Sequence, residues 1–280
     1  MTDLETLHHL VFQQTGTSRQ ALSKLGYFCA PFRPDTGLFR DKVIKVYQAQ
    51  RNEEVLEVLV AAHDAYVNLL RKLGVCVPKT NINLLPNGAM LVPVIVQEAI
   101  ETKFMMRSQM LNADLSRALV LMDSAGQVIA QFWNGLSPED GRVGFHPSIR
   151  NFAIIDKQAV FFDSFPPLIH YTHAEMGKIL LLFSESHLIR LFGPLVPKKL
   201  AGIQDEWYSA SETLIGLVGS ACRLRPADRE AFLEWGRQFA QSEMPNFSDD
   251  VLKGLKRPPR LPGYWTGFRK LLGLQGEPNL

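Results

Sequence analysis

The stretch VGFHPSIRNFAIIDKQAVFFDSFPP, residues 143–167, carries the strongest indication of the fold. Its two hydrophobic runs, FAII and AVFF, are separated by the polar residues Asp156, Lys157 and Gln158, a pattern typical of a β-hairpin turned at Asp156 and Lys157. Asn151 precedes the first run, and Asp163 follows the second, twelve residues further on. The pattern therefore predicts a short hairpin with an Asn at one end and an Asp at the other.

The composition is that of a globular protein with an ordinary charge. With 280 residues, 46% hydrophobic and 21% charged, the chain is long enough for one large domain or for two packed lobes that share a cleft. The formal net charge of +2 gives no argument for nucleic-acid binding, which needs a concentrated basic surface. We expect a soluble protein, and the sequence gives no indication of its oligomeric state.

Cysteine usage and hydropathy point to the cytoplasm. Cys29, Cys76 and Cys222 are widely separated and lack CxxC spacing, so they support neither a disulfide framework nor a cysteine metal site. The N-terminus MTDLETLHHL carries acids instead of the positive charge of a signal peptide. The apolar run MGKILLLF falls well short of the roughly 20 residues that a membrane-spanning helix needs. We predict no membrane association.

The first third of the chain is predicted to form a small sheet with one helix. The runs GYFCAPF and KVIKVY are rich in aromatic and β-branched residues and flank the turn signal RPDTG. Residues 52–73 are predicted to be helical, with Asn52 as the cap. The apolar stripe of this helix consists of Leu56, Leu59, His63, Val67 and Leu70. Residues 75–97 then form two extended runs joined by PNG, which predicts a hairpin.

The rest of the chain is mainly helical in character. A second long helix is indicated by apolar residues at helical spacing, namely Leu115, Leu119, Met122, Ile129 and Phe132. Further helices are predicted near residues 173–192, 205–222 and 226–242. The final stretch, LKRPPRLPGYWTGFRK, is rich in Pro and Gly, and we expect it to be extended.

This order of elements resembles the protein-kinase-like fold, especially the aminoglycoside-phosphotransferase-type small-molecule kinases, over roughly residues 15–245. The resemblance implies an α+β, two-lobed fold with a small β-rich N-lobe and a larger helical C-lobe. The N-lobe would comprise residues 1–101, and the C-lobe residues 102–245 with the hairpin of the opening stretch. Residues 246–280 would form an extended tail packed on the C-lobe.

The resemblance also implies a site for ATP and Mg²⁺ between the lobes. Lys45, in the strand VIKVY, is similar to the strand Lys that contacts the α and β phosphates. Glu57, or failing that Glu54, is similar to the helix acid that orients this Lys. The alternative is that Lys45 faces solvent and that both acids only favour the helix dipole.

Two further groups of residues take roles by the same resemblance. Asn151 and Asp163 look like the two metal-binding residues of a kinase site, although they could instead cap a turn and end a strand. The hinge would lie near Gln97, Glu98 and Ala99, where backbone groups could hydrogen-bond an adenine.

The catalytic position departs from the kinase pattern. In HRDxxxxN the catalytic Asp stands five residues before the Asn, and here that position is His146. A neutral imidazole, with an ordinary pKa of about 6.5, can accept a proton near pH 7 but lacks the negative charge of Asp. The leading hypothesis is an ATP-dependent phosphotransferase that acts on a hydroxyl of a small molecule. The alternative is a catalytically silent kinase-like protein that binds a nucleotide, a metabolite or a protein partner.

The phosphate loop and the segment after the hairpin also differ from a protein kinase. TGTSR, residues 15–19, has one Gly where the protein-kinase pattern has three, so phosphate closure would rely on the hydroxyls of Thr15, Thr17 and Ser18. Ser164 and Phe165 replace the Phe and Gly of DFG and are followed by two prolines. We therefore expect a rigid entry into the next helix and no switchable activation segment.

Two other groups of residues offer weaker alternatives. His170, His173 and Glu175 in HYTHAE could bind a metal, but a Thr before an acid at a helix start is ordinary capping chemistry. The C-terminal tail mixes basic and aromatic residues and could bind nucleic acid or an acidic partner. Packing of these aromatics over the helical lobe is the favoured interpretation.

Overall fold

The computed structural model of the chain describes residues 2–13, 19–21, 28–184 and 204–256. The fold is α+β, with a small antiparallel sheet and a larger helical region. Thr15, Thr17 and Ser18 lie outside the described residues, as do residues 257–280. None of the described helices is both long and apolar enough to cross a membrane.

The first part of the chain contains one helix, followed by the five strands of the main sheet, with a second helix between the third and fourth strands. In order, these elements are α1 (Asp3–Phe12), β1 (Arg19–Ala21), β2 (Phe32–Pro34), β3 (Lys42–Val46), α2 (Glu53–Lys72), β4 (Thr80–Asn87) and β5 (Met90–Glu98). The helical part follows with α3 (Met106–Asn112), α4 (Leu115–Gly135), β6 (Phe152–Ile155), β7 (Gln158–Phe161), α5 (His173–Leu182), α6 (Ala210–Leu224), α7 (Arg229–Glu243) and α8 (Ser248–Gly254).

The main sheet is antiparallel with the strand order β1-β2-β3-β5-β4. The predicted hairpin of residues 75–97 is confirmed as β4 and β5, in which Asn87 pairs with Met90 across a two-residue turn. Gly88 adopts a φ of +62° there, a left-handed conformation that suits glycine. β3 pairs with β5 so that Lys45 lies opposite Ile95, which places the strand Lys in the middle of the sheet.

Helix α2 confirms the helix predicted over residues 52–73. The Asn52 side chain accepts a hydrogen bond from the backbone N–H of Val55, so the predicted cap is present. The predicted apolar stripe is buried, and it includes the polar side chain of His63. One face of α2 therefore packs against the core and carries an imidazole into it.

The helical region also follows the sequence pattern closely. The second long helix is α4, and the helices predicted near 205–222 and 226–242 appear as α6 and α7 with slightly later starts. The helix predicted near 173–192 is described as α5 as far as Leu182, and residues 185–203 lie outside the described residues. Other elements differ from the prediction. α1 and α3 were not predicted, and the first part of the predicted extended tail is helix α8, because the side chain of Val251 is buried against the neighbouring helices.

The hairpin of the opening stretch forms as predicted. Phe152 pairs with Phe161, and Ile155 pairs with Gln158, which leaves Asp156 and Lys157 as a two-residue turn. Both turn residues have positive φ, 49° and 70°, as the favoured two-residue hairpin turns require. The hairpin is a separate two-stranded sheet whose Phe161 N–H donates to Cys76 O at 2.8 Å.

Candidate functional site

The open end of the β6–β7 hairpin brings Asn151 and Asp163 together. The Phe162 N–H donates to Asn151 O at 3.1 Å, so Asp163 follows one residue beyond the paired end. Asn151 is buried, and its Nδ2 donates to His146 O at 3.0 Å, which leaves the amide oxygen Oδ1 available as an acceptor. The half-buried Asp163 carboxylate makes no hydrogen bond or ion pair with any residue that the structure describes.

Lys45 reaches the same end of the hairpin from the main sheet. Its Nζ donates to Phe162 O at 2.9 Å, and the Nε2 of Gln97, from the neighbouring strand, donates to the same oxygen at 3.0 Å. Lys45 is only 7% exposed and Gln97 only 2%. The ammonium therefore lies inside the protein, beside the residue that precedes Asp163, and does not face solvent.

The predicted ion pair between Lys45 and Glu57 does not form. Glu57 is exposed, as is Glu54, while the Lys45 ammonium donates to a backbone carbonyl. The reason is the rotation of α2 about its axis. Leu56 is buried in the core, and the next residue along a helix points about 100° away from it. Glu57 consequently lies on the solvent side of the helix.

One side chain that α2 directs toward this region is His63, which the sequence identified only as part of the apolar stripe. The imidazole is fully buried, and its Nε2 lies 3.0 Å from Ser164 Oγ. Burial lowers the pKa of His63 to about 4, and the positive charges of Lys45 and Arg71 act in the same direction. α2 thus places a neutral imidazole near Lys45, and not the carboxylate that the sequence resemblance implies.

Two opposite charges at this site therefore lack an ionic partner. Among the described residues, no carboxylate lies within ion-pair distance of the Lys45 ammonium, and no cation pairs with Asp163. A buried or half-buried charge is normally paired, because removing it from water is costly. Within the described residues, neither charge is compensated by an ion pair.

His146 occupies the loop that leads into the hairpin. Its imidazole is half-buried, and its ring centroid lies 4.7 Å from that of Trp207 at an interplanar angle of 37°. Burial lowers the pKa of His146, and the negative charge of Asp163 opposes this shift. The imidazole is consequently neutral at pH 7. Neither ring nitrogen is hydrogen-bonded to a described residue, so one nitrogen can accept a proton.

Two tyrosines lie close enough to Asp163 for its charge to act on them. Burial raises the pKa of both Tyr47 and Tyr66 well above 10, and the Asp163 charge contributes in the same direction. Tyr66 OH donates to Gly144 O at 3.0 Å, which helps to fix the loop that carries His146. Both phenols stay neutral at physiological pH, so they do not compensate the Asp163 charge.

The predicted hinge offers fewer backbone donors than the sequence suggests. The Glu98 N–H donates to Lys79 O at 2.8 Å, and the Ala99 N–H donates to Asp41 O at 2.9 Å. Both amides that could have bound an adenine are therefore engaged within the fold. An adenine at this position would have to use other groups or displace these bonds.

The weaker metal alternative at HYTHAE is explained by helix capping. The Thr172 side chain accepts from the Glu175 N–H, and the Glu175 carboxylate accepts from Thr172 N–H, forming a capping box at the start of α5. His173 is exposed and lies 3.4 Å from Asp205. Within the described residues no group of three or more His, Cys, Asp or Glu side chains could hold a metal.

Comparison with known proteins gives a family but no activity. A family model described as "Family of unknown function (DUF6206)" matches residues 6–276, which is nearly the whole chain. No curated protein matches the chain.

Proposed function

The chain belongs to this family, DUF6206, and we propose that it is an ATP-dependent phosphotransferase that acts on a hydroxyl of a small molecule. The observation that carries the proposal is the pair of opposite charges, Lys45 and Asp163, at one end of the hairpin, neither of which forms an ion pair with a described residue. A magnesium nucleotide supplies phosphate oxygens for the ammonium and a cation for the carboxylate. No single simple ion would satisfy both.

The donor set fits Mg²⁺. The ion takes oxygen ligands and usually binds proteins through one or two side chains, keeping waters and substrate phosphates as its other ligands. Asn151 Oδ1 and the Asp163 carboxylate would be those side-chain ligands. When bound, Mg²⁺ would offset the negative charge of the phosphates.

The residues of the chain then have distinct roles. Lys45 draws the phosphates toward the hairpin end, and Asn151 holds the loop by donating to His146 O. His146, neutral at pH 7, accepts the proton of the acceptor hydroxyl on a ring nitrogen.

A two-lobed arrangement is part of the same proposal. The main sheet with α2 would be the small lobe, and α3 to α8 with the hairpin would be the large one, with the boundary near residues 101 and 102. This division is supported by the end of β5 at Glu98, after which the chain is mainly helical. Lys45 and Gln97 link the two parts through their shared bond to Phe162 O.

A catalytically silent binding protein is the second candidate, and one observation favours it. The Glu98 and Ala99 amides are already used within the fold, so adenine recognition of the usual kind is weakened. The end of the hairpin would then hold a different phosphate-bearing or metal-bearing metabolite through Lys45 and Asp163.

The test compares nucleotide binding and turnover in matched variants. Mg²⁺ with ATP should raise the melting temperature of the parent, and Asp163→Ala should lose the Mg²⁺-dependent part of this shift. Glu57→Gln, which removes an exposed acid, is the control and should behave as the parent. A folded Asp163→Ala variant that binds Mg²⁺ and ATP as well as the parent would refute the metal assignment. Binding without turnover on a broad panel of hydroxyl acceptors would favour the silent protein.

A further inference from the structure

Arg142, four residues before His146, forms no ion pair with an acid of the described part of the chain. Its guanidinium is half-buried and lies over the ring of Tyr208, with Cζ 3.3 Å from the ring centroid. Its Nη1 donates to the backbone oxygen of Tyr171 at 3.1 Å. The stack and this hydrogen bond hold the planar guanidinium in one orientation, and its other N–H groups are available to an acceptor.

The carboxylate of Glu175 lies nearby but faces the other side of a peptide group. It accepts from the Thr172 N–H at 2.8 Å as part of the capping box of α5. The C=O of that same peptide group belongs to Tyr171 and accepts from Arg142. Because the C=O and N–H of a trans peptide point in opposite directions, the peptide separates the two charges. Glu175 therefore does not occupy the donors of Arg142.

Two tyrosine hydroxyls next to this guanidinium also lack an acceptor. The hydroxyls of Tyr171 and Tyr208 are buried without a hydrogen-bond partner among the described residues, and Tyr171 is only 6% exposed. Burial raises the pKa of both to about 12, so each is a neutral O–H donor at physiological pH. A buried hydroxyl without a partner costs free energy. Both oxygens are enclosed here, so a ligand bound to Arg142 reaches them as the Tyr208 side chain shifts.

This group of donors adjoins the loop of the proposed base. A Cβ on Gly144 would lie 3.0 Å from the Tyr208 ring, so the loop from Arg142 to His146 packs closely on Tyr208. The neighbouring residue, Trp207, contacts the His146 ring. The Cα atoms of Arg142 and His146 are no more than about 14 Å apart, the span of four fully extended residues. One small molecule is therefore long enough to reach both side chains.

We propose that Arg142, backed by the hydroxyls of Tyr171 and Tyr208, binds a carboxylate of the acceptor, which is thus a small hydroxy acid. The inference rests on the proposed function, but carboxylate binding itself is measured without nucleotide. A carboxylate matches the guanidinium through two parallel hydrogen bonds. It carries one negative charge, which one guanidinium offsets, whereas a phosphate group carries about −1.5 to −2 at pH 7.

The experiment is a ligand-observed NMR titration, without nucleotide, of three hydroxy acids: glycerate, malate and 4-hydroxyphenylacetate. The amide of each acid is its uncharged counterpart, and inorganic phosphate is the competing anion. In the parent at least one acid should bind about tenfold more tightly than its amide, the usual scale for hydrogen bonds to charged groups. Equal binding of every acid and its amide would overturn the inference. Phosphate binding that depends on Arg142 and exceeds that of every acid would overturn it as well.

Variants of Arg142 assign the binding to this side chain. Arg142→Gln can still donate to Tyr171 O but lacks the charge, so it should bind the acid no better than the amide. Arg142→Lys keeps the charge without the planar fork and should have an intermediate affinity. Arg107→Gln, which removes an exposed arginine from α3, is the matched control and should bind as the parent does. If Arg142→Gln does not fold, undiminished acid affinity in Arg142→Lys overturns the inference.

The hydroxyls are tested in the double variant Tyr171→Phe, Tyr208→Phe, which keeps both rings. Because each hydroxyl is buried without a partner, the unfolding free energy should stay the same or rise. The acid affinity should nevertheless fall several-fold. A purely structural role of the two side chains would not lower affinity in an equally stable protein. Unchanged acid affinity would exclude both tyrosines from the site.

The outcomes separate this inference from the proposed function. A parent that phosphorylates only uncharged acceptors would support the function and overturn the inference. A parent that binds the acids through Arg142 but never turns over ATP would support the carboxylate site and refute only the role of its ligand as a phosphoryl acceptor.

Discussion

The ammonium of Lys45 lies 2.9 Å from the carbonyl oxygen of Phe162, the residue that precedes Asp163. A lysine from the main sheet is thus bound directly to the hairpin that carries the proposed metal ligands. Because Gln97 donates to the same oxygen, the hairpin remains attached to the sheet even if Lys45 turns toward a phosphate.

Replacement of Lys45 should separate nucleotide binding from folding. In Lys45→Met the Gln97 bond to Phe162 O remains, and a buried ammonium without an ionic partner is removed. We expect the variant to stay folded, with a change in unfolding free energy of no more than about 1 to 2 kcal/mol, the usual cost of a lost hydrogen bond. The Mg²⁺ and ATP thermal shift should fall sharply. If folded Lys45→Met showed the same rise in melting temperature with Mg²⁺ and ATP as the parent, Lys45 would have only a structural role.

The turnover should depend on pH through His146. Since burial lowers the pKa of His146, activity should rise with pH through a midpoint below 6.5 and be nearly constant above pH 7. His146→Ala should lower kcat by roughly 10²-fold or more, the usual scale for loss of a general base, with nucleotide affinity almost unchanged. His146→Asp should retain more activity than His146→Ala. Equal kcat in the parent and His146→Ala would mean that the imidazole is structural.

Asp163 should control the protonation of His146 as well as metal binding. The negative charge of Asp163 raises the pKa of His146, so Asp163→Asn should lower that pKa further. An NMR titration of the His146 ring in the absence of nucleotide measures this directly. Asp156→Asn, at the exposed turn of the same hairpin, removes an equal charge and should have no effect. A pKa that stays the same in Asp163→Asn would place the carboxylate out of range of the imidazole.

His63 should make the fold sensitive to acid. Its pKa is about 4 in the folded protein and about 6.5 in the unfolded chain, so between these values the unfolded chain binds more protons. Stability is therefore lost as the pH falls from 6.5 toward 4, by about 2 to 3 kcal/mol for this group.

The measurement is urea unfolding at pH 7 and at pH 4.5. His63→Gln, which can still hydrogen-bond to Ser164, should lose much less stability between the two pH values than the parent does. His173→Gln removes an exposed histidine and should keep the full acid sensitivity of the parent. An equal loss of unfolding free energy between pH 7 and pH 4.5 in the parent and in His63→Gln would contradict the buried neutral state of His63.

The elements that were predicted correctly are those that local sequence patterns determine. The β6–β7 hairpin follows from two apolar runs and the turn at Asp156 and Lys157, and α2 follows from the Asn52 cap and its apolar stripe. α1 could also have been predicted, because Thr2 and Glu5 form a capping box.

The errors concern orientation and tertiary contacts. The kinase-like order of elements implies a role for Glu57 at the site, but chain order does not fix the rotation of α2 about its axis, and burial of Leu56 turns the acid to solvent. The amides of Glu98 and Ala99 are used by carbonyls of Lys79 and Asp41, which are distant in sequence. No local pattern reveals such partners.

The bond from Asn151 Nδ2 to His146 O has a thermodynamic consequence for any ligand of this site. It closes the loop of residues 146–151 by contacts internal to the chain, and the hairpin ladder fixes the adjoining residues. The conformational entropy of this segment is thus lost during folding and not during association. A ligand that binds here does not have to order the loop, so a larger part of its interaction energy contributes to affinity.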